Sequence, residues 1–326
     1  MSLAPWAIGL PFIRLKRMSG EAPSPTAAAA GANPAARERR IGFACAFAVL
    51  FVWAGFLLSS RLSASQSLTP WDVAALRYSG AFLAALPLVA VLGLPRLPPL
   101  RLLALLGAAS FGFPIFAYHG FTLAPAAHGG VMLPGTLPFL TAALGVAFLG
   151  EAWTRRRAAS LVVVACGIGL LASDTLGAHP GAWRGDLLFL AGSCCWAIYT
   201  LLIRLWGIGA MQATLSIALW SAPIYLPVWW FLLPSSIGTA SAGVALYQLI
   251  YQGIFATILA GLLFTKAVTA LGAPTTTTIT ALVPGMAALA AWPLLGEPLG
   301  LLGFAGVGLV SAGMILTVVR FPPRAR

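Results

Sequence analysis

FLGE stands at Phe148–Glu151 and LLGE at Leu294–Glu297. Each closes a long stretch without Asp, Glu, Lys or Arg, residues 127–150 before the first and 267–296 before the second. Only seven acids occur in the 326 residues, so the same acid after the same glycine is a pattern to follow outward. Sliding the chain by 146 residues lays Phe116–Glu151 on Leu262–Glu297 without a gap. Ala124, Pro138, Ala142, Leu149, Gly150 and Glu151 then match Ala270, Pro284, Ala288, Leu295, Gly296 and Glu297, and further on Val164 and Gly167 match Val310 and Gly313. An offset of 143 lays WAGFLLSSRL (Trp53–Leu62) on WAIYTLLIRL (Trp196–Leu205). Residues 41–174 and 175–319 therefore read as two copies of one unit.

Composition sets the medium. The chain is 60% hydrophobic and 8% charged, with a mean hydropathy of +0.94. That is far below the roughly 25% charge of soluble domains, and the apolar surplus has to face lipid. The apolar runs do not alternate as barrel strands do, so the expected class is an all-α integral membrane protein. Ten spans are expected, at about 41–60, 73–93, 102–122, 127–149, 155–173, 185–206, 212–233, 243–270, 274–295 and 299–319, from the ~20 residues that cross a bilayer. Residues 1–40 read as a disordered cytoplasmic tail, since Arg14, Lys16 and Arg17 follow a short apolar stretch, the reverse of a signal peptide. Residues 320–326 read as a second cytoplasmic tail.

The net charge of +12 lies between the apolar runs, which points to topology and lipid headgroups rather than nucleic acid. With the N-terminus inside, fifteen Lys and Arg fall on the cytoplasmic side and only Arg61 and Arg184 outside. Both termini are then cytoplasmic, in an inner or plasma membrane. Each unit holds five spans, an odd number, so the two repeats must be inverted relative to one another, an arrangement of secondary transporters whose sites lie between the halves. Glu151 then sits at the inner mouth and Glu297 at the outer. The plainer reading is that they cap the following helices, and the functional one is gating or ion pairing.

Cys45, Cys166, Cys194 and Cys195 all lie in apolar runs, and the three His are dispersed, so neither disulfide nor metal nor other cofactor is expected. None of the acids lies mid-span, which argues against an Asp or Glu proton relay. Lys266 is the sharpest charge within a span. Gln248, eighteen residues earlier, falls on its face at 3.6 residues per turn, with Gln252 close by. That face is expected to line a cavity in which Lys266 attracts a substrate carboxylate or phosphate, against the plainer reading that it snorkels. Arg77 reads as interfacial, with Asp72 as partner. Trp53 and Trp196 occupy equivalent mid-span places and suit a stacking wall or gate, with Tyr199 beside the second. Tyr118, His119 and Thr276 are further cavity candidates, Thr276 alternatively bonding to its own helix backbone. Pro138 and Pro284 remove helix hydrogen bonds at matched places and permit kinks.

VWAGFLLSSRL, LRYSGAFLAAL, FLGE, GDLLFLAGSCCWAIYTLLIRL and PLLGE together resemble the drug/metabolite transporter superfamily, and within it the EamA-type permeases, over residues 41 to 319. The resemblance implies transport of small metabolites without ATP hydrolysis, with exporters of amino acids among the members. Arg77 resembles the L-R of the family's second helix. Two features depart from the pattern: RERR at Arg37–Arg40 replaces the G-D before the first helix, and HGG at His128–Gly130 faces TTT at Thr275–Thr277. The expected function is a secondary transporter, an exporter of a small metabolite such as an amino acid or related zwitterion or anion, working by alternating access. The expected partners are that small molecule and the bilayer. An intramembrane enzyme acting on lipid, or a channel, is the alternative, but paired acids or a continuous polar lining are missing.

Overall fold

The computed structural model describes residues 34–175 and 181–318. Of the tail expected at 1–40, residues 34–40 are helical rather than disordered; residues 1–33, the expected tail at 320–326 and the join between the halves at 176–180 lie outside the described residues. Among the described residues there is no strand. The helical rods are α1 (Pro34–Ser65), α2 (Pro70–Leu92), α3 (Pro99–Leu123), α4 (Ala126–Leu149) and α5 (Arg155–Thr175). After the join come α6 (Trp183–Leu205), α7 (Ala210–Leu232), α8 (Ala242–Leu271), α9 in two pieces (Ala273–Thr280 and Val283–Leu295) and α10 (Leu301–Val318). Eight of these rods are long and apolar enough to cross a membrane. The exceptions are α5, which opens on three arginines, and the shorter α10.

Local chemistry sets the ends. Thr69 caps α2 through a capping box with Asp72, and Pro70 follows in the first turn, where a missing N–H costs nothing. α1 begins at Pro34 rather than near residue 41, because Pro opens and Ala, Arg and Glu extend a helix well. The repeated glycines are helix stops. Gly150 (φ 64°) and Gly296 (φ 68°) adopt the left-handed conformation, which costs other residues energy. The next N–H groups, of Glu151 and Glu297, bond back to Gly145 O (3.1 Å) and Ala291 O (3.4 Å), closing α4 and α9 in the same way.

The helices pack across the halves. α1 lies against α8 and α9, and α6 against α3 and α4. α2 packs on α7 and α8, and α5 on α10. Glycines permit the closest approaches: Gly80 of α2 meets Gly253 of α8, and Gly167 of α5 meets Gly306 of α10.

Two features of the rods escape a 3.6-residue period. Leu106–Gly112 in α3 and Leu249–Leu259 in α8 are π-helical, with i→i+5 bonding. By the 146-residue offset these segments coincide. Side chains serve their carbonyls: Gln252 O accepts from Thr257 Oγ1 (2.8 Å) and more weakly from Arg77 (3.4 Å), and Ser110 O accepts from Tyr78. In α9 the helix breaks at Ala281–Leu282, just before Pro284, which lacks the N–H to continue it.

Candidate functional site

A cavity of about 180 Å³ lies among seven helices. α1 supplies Trp53, Phe56 and Leu57, α2 Arg77 and α3 Phe113; α4 supplies Leu133, Pro134 and Leu137. From the second half come Trp196 of α6, Ala256 of α8 and Val283 of α9. The wall is apolar and largely aromatic, with Arg77 its one charged side chain among the described residues. Trp53 rests on Phe264 (5.4 Å) and Trp196 on Phe113 (5.0 Å), so both tryptophans expected at equivalent places do stand on the cavity.

Arg77 departs from its expected place. It does not pair with Asp72, whose carboxylate already accepts from Thr69 N (2.9 Å), Ser235 Oγ (2.6 Å), Ser236 N (2.9 Å) and Trp229 Nε1 (2.9 Å). The two residues are five apart, so they point about 140° from each other on a helix. Asp72 serves the helix start, while the Arg77 guanidinium turns inward and lies over the Phe56 ring at 5.6 Å.

Lys266 also departs. It pairs with Glu38 Oε2 at 2.7 Å, and both side chains are about half exposed. The π-helical turns of α8 between Gln248 and Lys266 break the register that put them on one face. The early start of α1 brings Glu38 alongside. Exposed pairs of this kind contribute little. Lys266→Ala should accordingly leave thermal stability within about 1 °C and flux unchanged in a vesicle assay.

Gln248 and Gln252 are fully buried in a polar seam beside the cavity. Ser59 Oγ donates to Gln248 Oε1 (3.1 Å), and Gln248 Nε2 donates to Ser59 O and Gln66 Oε1 (3.3 Å each). Gln252 Nε2 reaches the hydroxyls of Ser59 and Ser60 (3.2 Å each), and the Tyr118 hydroxyl donates to Gln252 Oε1 (3.2 Å). The seam ties α1, α3 and α8. His119 lies off the cavity, its Nδ1 at 2.8 Å from Ile115 O and its ring edge-on to Trp71. Tyr199 packs on the far side of Trp196 at 5.1 Å. Thr276 bonds back to Gly272 O at 3.0 Å. Pro138 follows Leu137 of the wall, and Pro284 lies where α9 crosses α4 at Gly130.

Glu151 and Glu297 do not cap the helices that follow, which begin four residues later at Arg155 and Leu301. Each reaches instead to the other half. Glu297 accepts from Arg61 Nε (2.5 Å) and from the Ala126 N–H (2.8 Å), which opens α4, while Arg61 also donates to Phe121 O (2.7 Å). Glu151 accepts from Arg204 and from Arg157 (3.0 Å). The hydrogen bonds from Arg204 and Arg157 hold the Glu151 carboxyl below its ordinary value of 4.5. Arg61 and Arg204 match in the 143-residue offset, as the glutamates do in the other. The sequence repeats align arginine with arginine and glutamate with glutamate, but nothing in them joins the two kinds. Asp186, in the G-D of GDLLFL, is another residue whose role appears only in the fold. It takes His128 Nδ1 at 2.7 Å, fastening the start of α6 to the start of α4.

A polytopic helical protein with one central cavity, and with ion pairs between its halves at both ends, has the build of a membrane transporter. The chain belongs to the EamA-like transporter family, whose model matches residues 40–173 and again residues 183–319. It is a transporter rather than an enzyme. A probable amino-acid metabolite efflux pump of Salmonella typhimurium is 27% identical over 302 residues, 88% of this chain and 97% of that protein. An uncharacterized transporter, YetK, of Bacillus subtilis is 25% identical over 215 residues, 64% of this chain. The matched segment spans 65% of that relative's length. One crystal structure shares the fold at 17% identity and a TM-score of 0.59, covering 86% of this chain and 96% of the other.

Proposed function

We propose that the protein is a secondary exporter that carries a small metabolite, an amino acid or related zwitterion or anion, across the inner or plasma membrane by alternating access. Its moving parts are two inverted five-helix repeats, residues 41–174 and 175–319. The observation that carries this reading is the paired closure: one glutamate–arginine bridge between the halves at each end of a shared cavity. The packing pairs support it, because exchanging the halves turns α1–α8 into α6–α3, turns α4–α6 into α9–α1, and leaves α2–α7 and α5–α10 unchanged. The Lys and Arg distribution supports a cytoplasmic Arg204 end and cytoplasmic termini. The name of the Salmonella relative supports amino-acid metabolites as cargo.

The test is counterflow in proteoliposomes loaded with unlabelled amino and organic acids and given the same solutes outside as radiolabelled tracers. Saturable uptake of at least one solute is expected, falling at least tenfold in the double variant Glu151→Gln/Glu297→Gln. A folded wild-type protein that moves none of them would overturn the proposal.

A further inference from the structure

The geometry points to Arg77 as the anchor for a carboxylate, and to a cargo that is a planar apolar monoanion rather than a zwitterion. This rests on the transport reading and narrows its substrate class.

Arg77 stands seven residues after Pro70, or about 10 Å along α2 at 1.5 Å per residue, so its charge lies well below the membrane surface. A guanidinium keeps its proton in any protein setting, so burial cannot neutralise it. No carboxylate among the described residues faces it: every acid with an ion-pair partner is engaged elsewhere, and Asp72 is saturated by the start of α2 and the α7–α8 turn. Its neutral acceptors are Gln252 O, 3.4 Å away and already taking the Thr257 hydroxyl, and the Tyr118 hydroxyl, which itself donates to Gln252 Oε1. A permanent cation in a membrane cavity, with five N–H donors, two neutral acceptors and no carboxylate beside it, fits an anion brought by the ligand.

The rest of the wall says what the anion is attached to. Arg77 lies over Phe56 at 5.6 Å, Phe56 stacks on Phe113 at 6.2 Å, and Phe113 meets Trp196 at 5.0 Å. These rings run from the cation in the first half to Trp196 in the second. A flat apolar body can lie along them while its carboxylate takes the guanidinium fork, and it would bridge both repeats. Among the described residues no acid lines the cavity to balance an α-ammonium. An amino acid would carry that group into an apolar wall unpaired, at a desolvation cost the bare carboxylate avoids.

Purified protein in nanodiscs would be titrated calorimetrically with three matched probes: 3-phenylpropionate, L-phenylalanine and 3-phenylpropionamide. Expected is binding of the acid, with the amide weaker by about 30-fold, as loss of a charge-assisted bidentate contact gives, and phenylalanine weaker by about tenfold. Arg77→Gln should equalise acid and amide. Arg77→Lys, which keeps the charge and guards against a folding defect in the first variant, should retain part of the preference. Acid and amide binding alike in wild type, phenylalanine binding more tightly than phenylpropionate, or an acid preference surviving Arg77→Gln would each overturn the inference, as would failure of all three to bind. Counterflow separates the two readings: if another solute is carried while the acid is not, the anion assignment falls and transport stands.

Discussion

Glu297→Gln should unlock the Arg61 end of the molecule. The glutamate carboxylate there accepts from two elements of the first half, the Arg61 guanidinium of α1 and the Ala126 N–H that opens α4. Only the former bond needs the negative charge. The substituted side chain can still take the backbone N–H through its amide oxygen, but the arginine then faces a neutral group. Charged hydrogen bonds contribute about 1.5–3 kcal/mol, so the balance between conformers should move roughly 10- to 100-fold toward opening at this end. The readout is Leu57→Cys, one helical turn below Arg61 and on the cavity wall, in a protein with Cys45, Cys166, Cys194 and Cys195 replaced. Labelling by a membrane-impermeant thiol reagent added from the Arg61 side should accelerate at least tenfold with Glu297→Gln. An unchanged rate would show that the bridge does not hold that end shut.

The matching change at the other end, Glu151→Gln, should do less in this conformation. By the 146-residue offset the partner of Ala126 is Gly272, and Gly272 N bonds to Val268 O instead of to Glu151. Glu151 has only arginines, Arg204 across the halves and Arg157 within its own. Arg204 is 48% exposed where Arg61 is 29%. The Arg61 end is the more tightly fastened, and the bridge there is the one whose loss should register.

Much of this was legible in the sequence because lipid imposes one dominant rule. Apolar runs must be helices about as long as the bilayer is thick, and the ten expected spans fall on ten rods to within a few residues, apart from the early start of α1, with eight of the ten long and apolar enough to cross. Trp53 and Trp196 could be placed because the WA repeats matched and both lay mid-rod. What was not legible depended on local departures from the 3.6-residue period. The π-helical turns of α8 carried Lys266 off the face of Gln248, and nothing in LIYQGIFATIL announces them, since they are maintained by contacts with α1 and α2. Arg77 was misplaced for a different reason. Five residues from an acid at a helix start, it looked like half of a surface pair, yet the acid was consumed by a capping box and by donors more than 150 residues away. The glutamate–arginine bridges were hidden by distance as well: residues 236 apart in sequence meet only once the halves are folded on each other.

Gly253→Leu should be among the most damaging single substitutions, and Gly107→Leu at the matching place should not. A Cβ on Gly253 would lie 2.6 Å from Gly80 Cα and 2.7 Å from both Ala81 N and the Arg77 carbonyl oxygen. All three are backbone atoms of α2, so no rotamer change makes room and the helices must part. Overpacking a core costs about 1–3 kcal/mol where side chains can yield, and here they cannot, so a loss of about 3 kcal/mol or more is expected. It should show as a melting temperature several degrees lower in detergent and as reduced yield. Gly107 in α3 has nothing within 4 Å of an added Cβ, although the 146-residue offset maps it onto Gly253. The crossing of α2 with α8 is closed at Gly80 and Gly253, while its counterpart, α3 with α7, is joined at Ser110 and Ser221 but open around Gly107. If the halves exchange roles during transport, the second crossing must close as the first opens, and a leucine there would obstruct it. Gly107→Leu should therefore express and melt like wild type while counterflow falls at least tenfold. Wild-type flux in Gly107→Leu would mean that α3 and α7 never close further around Gly107, and that the two halves do not trade conformations as their repeat suggests.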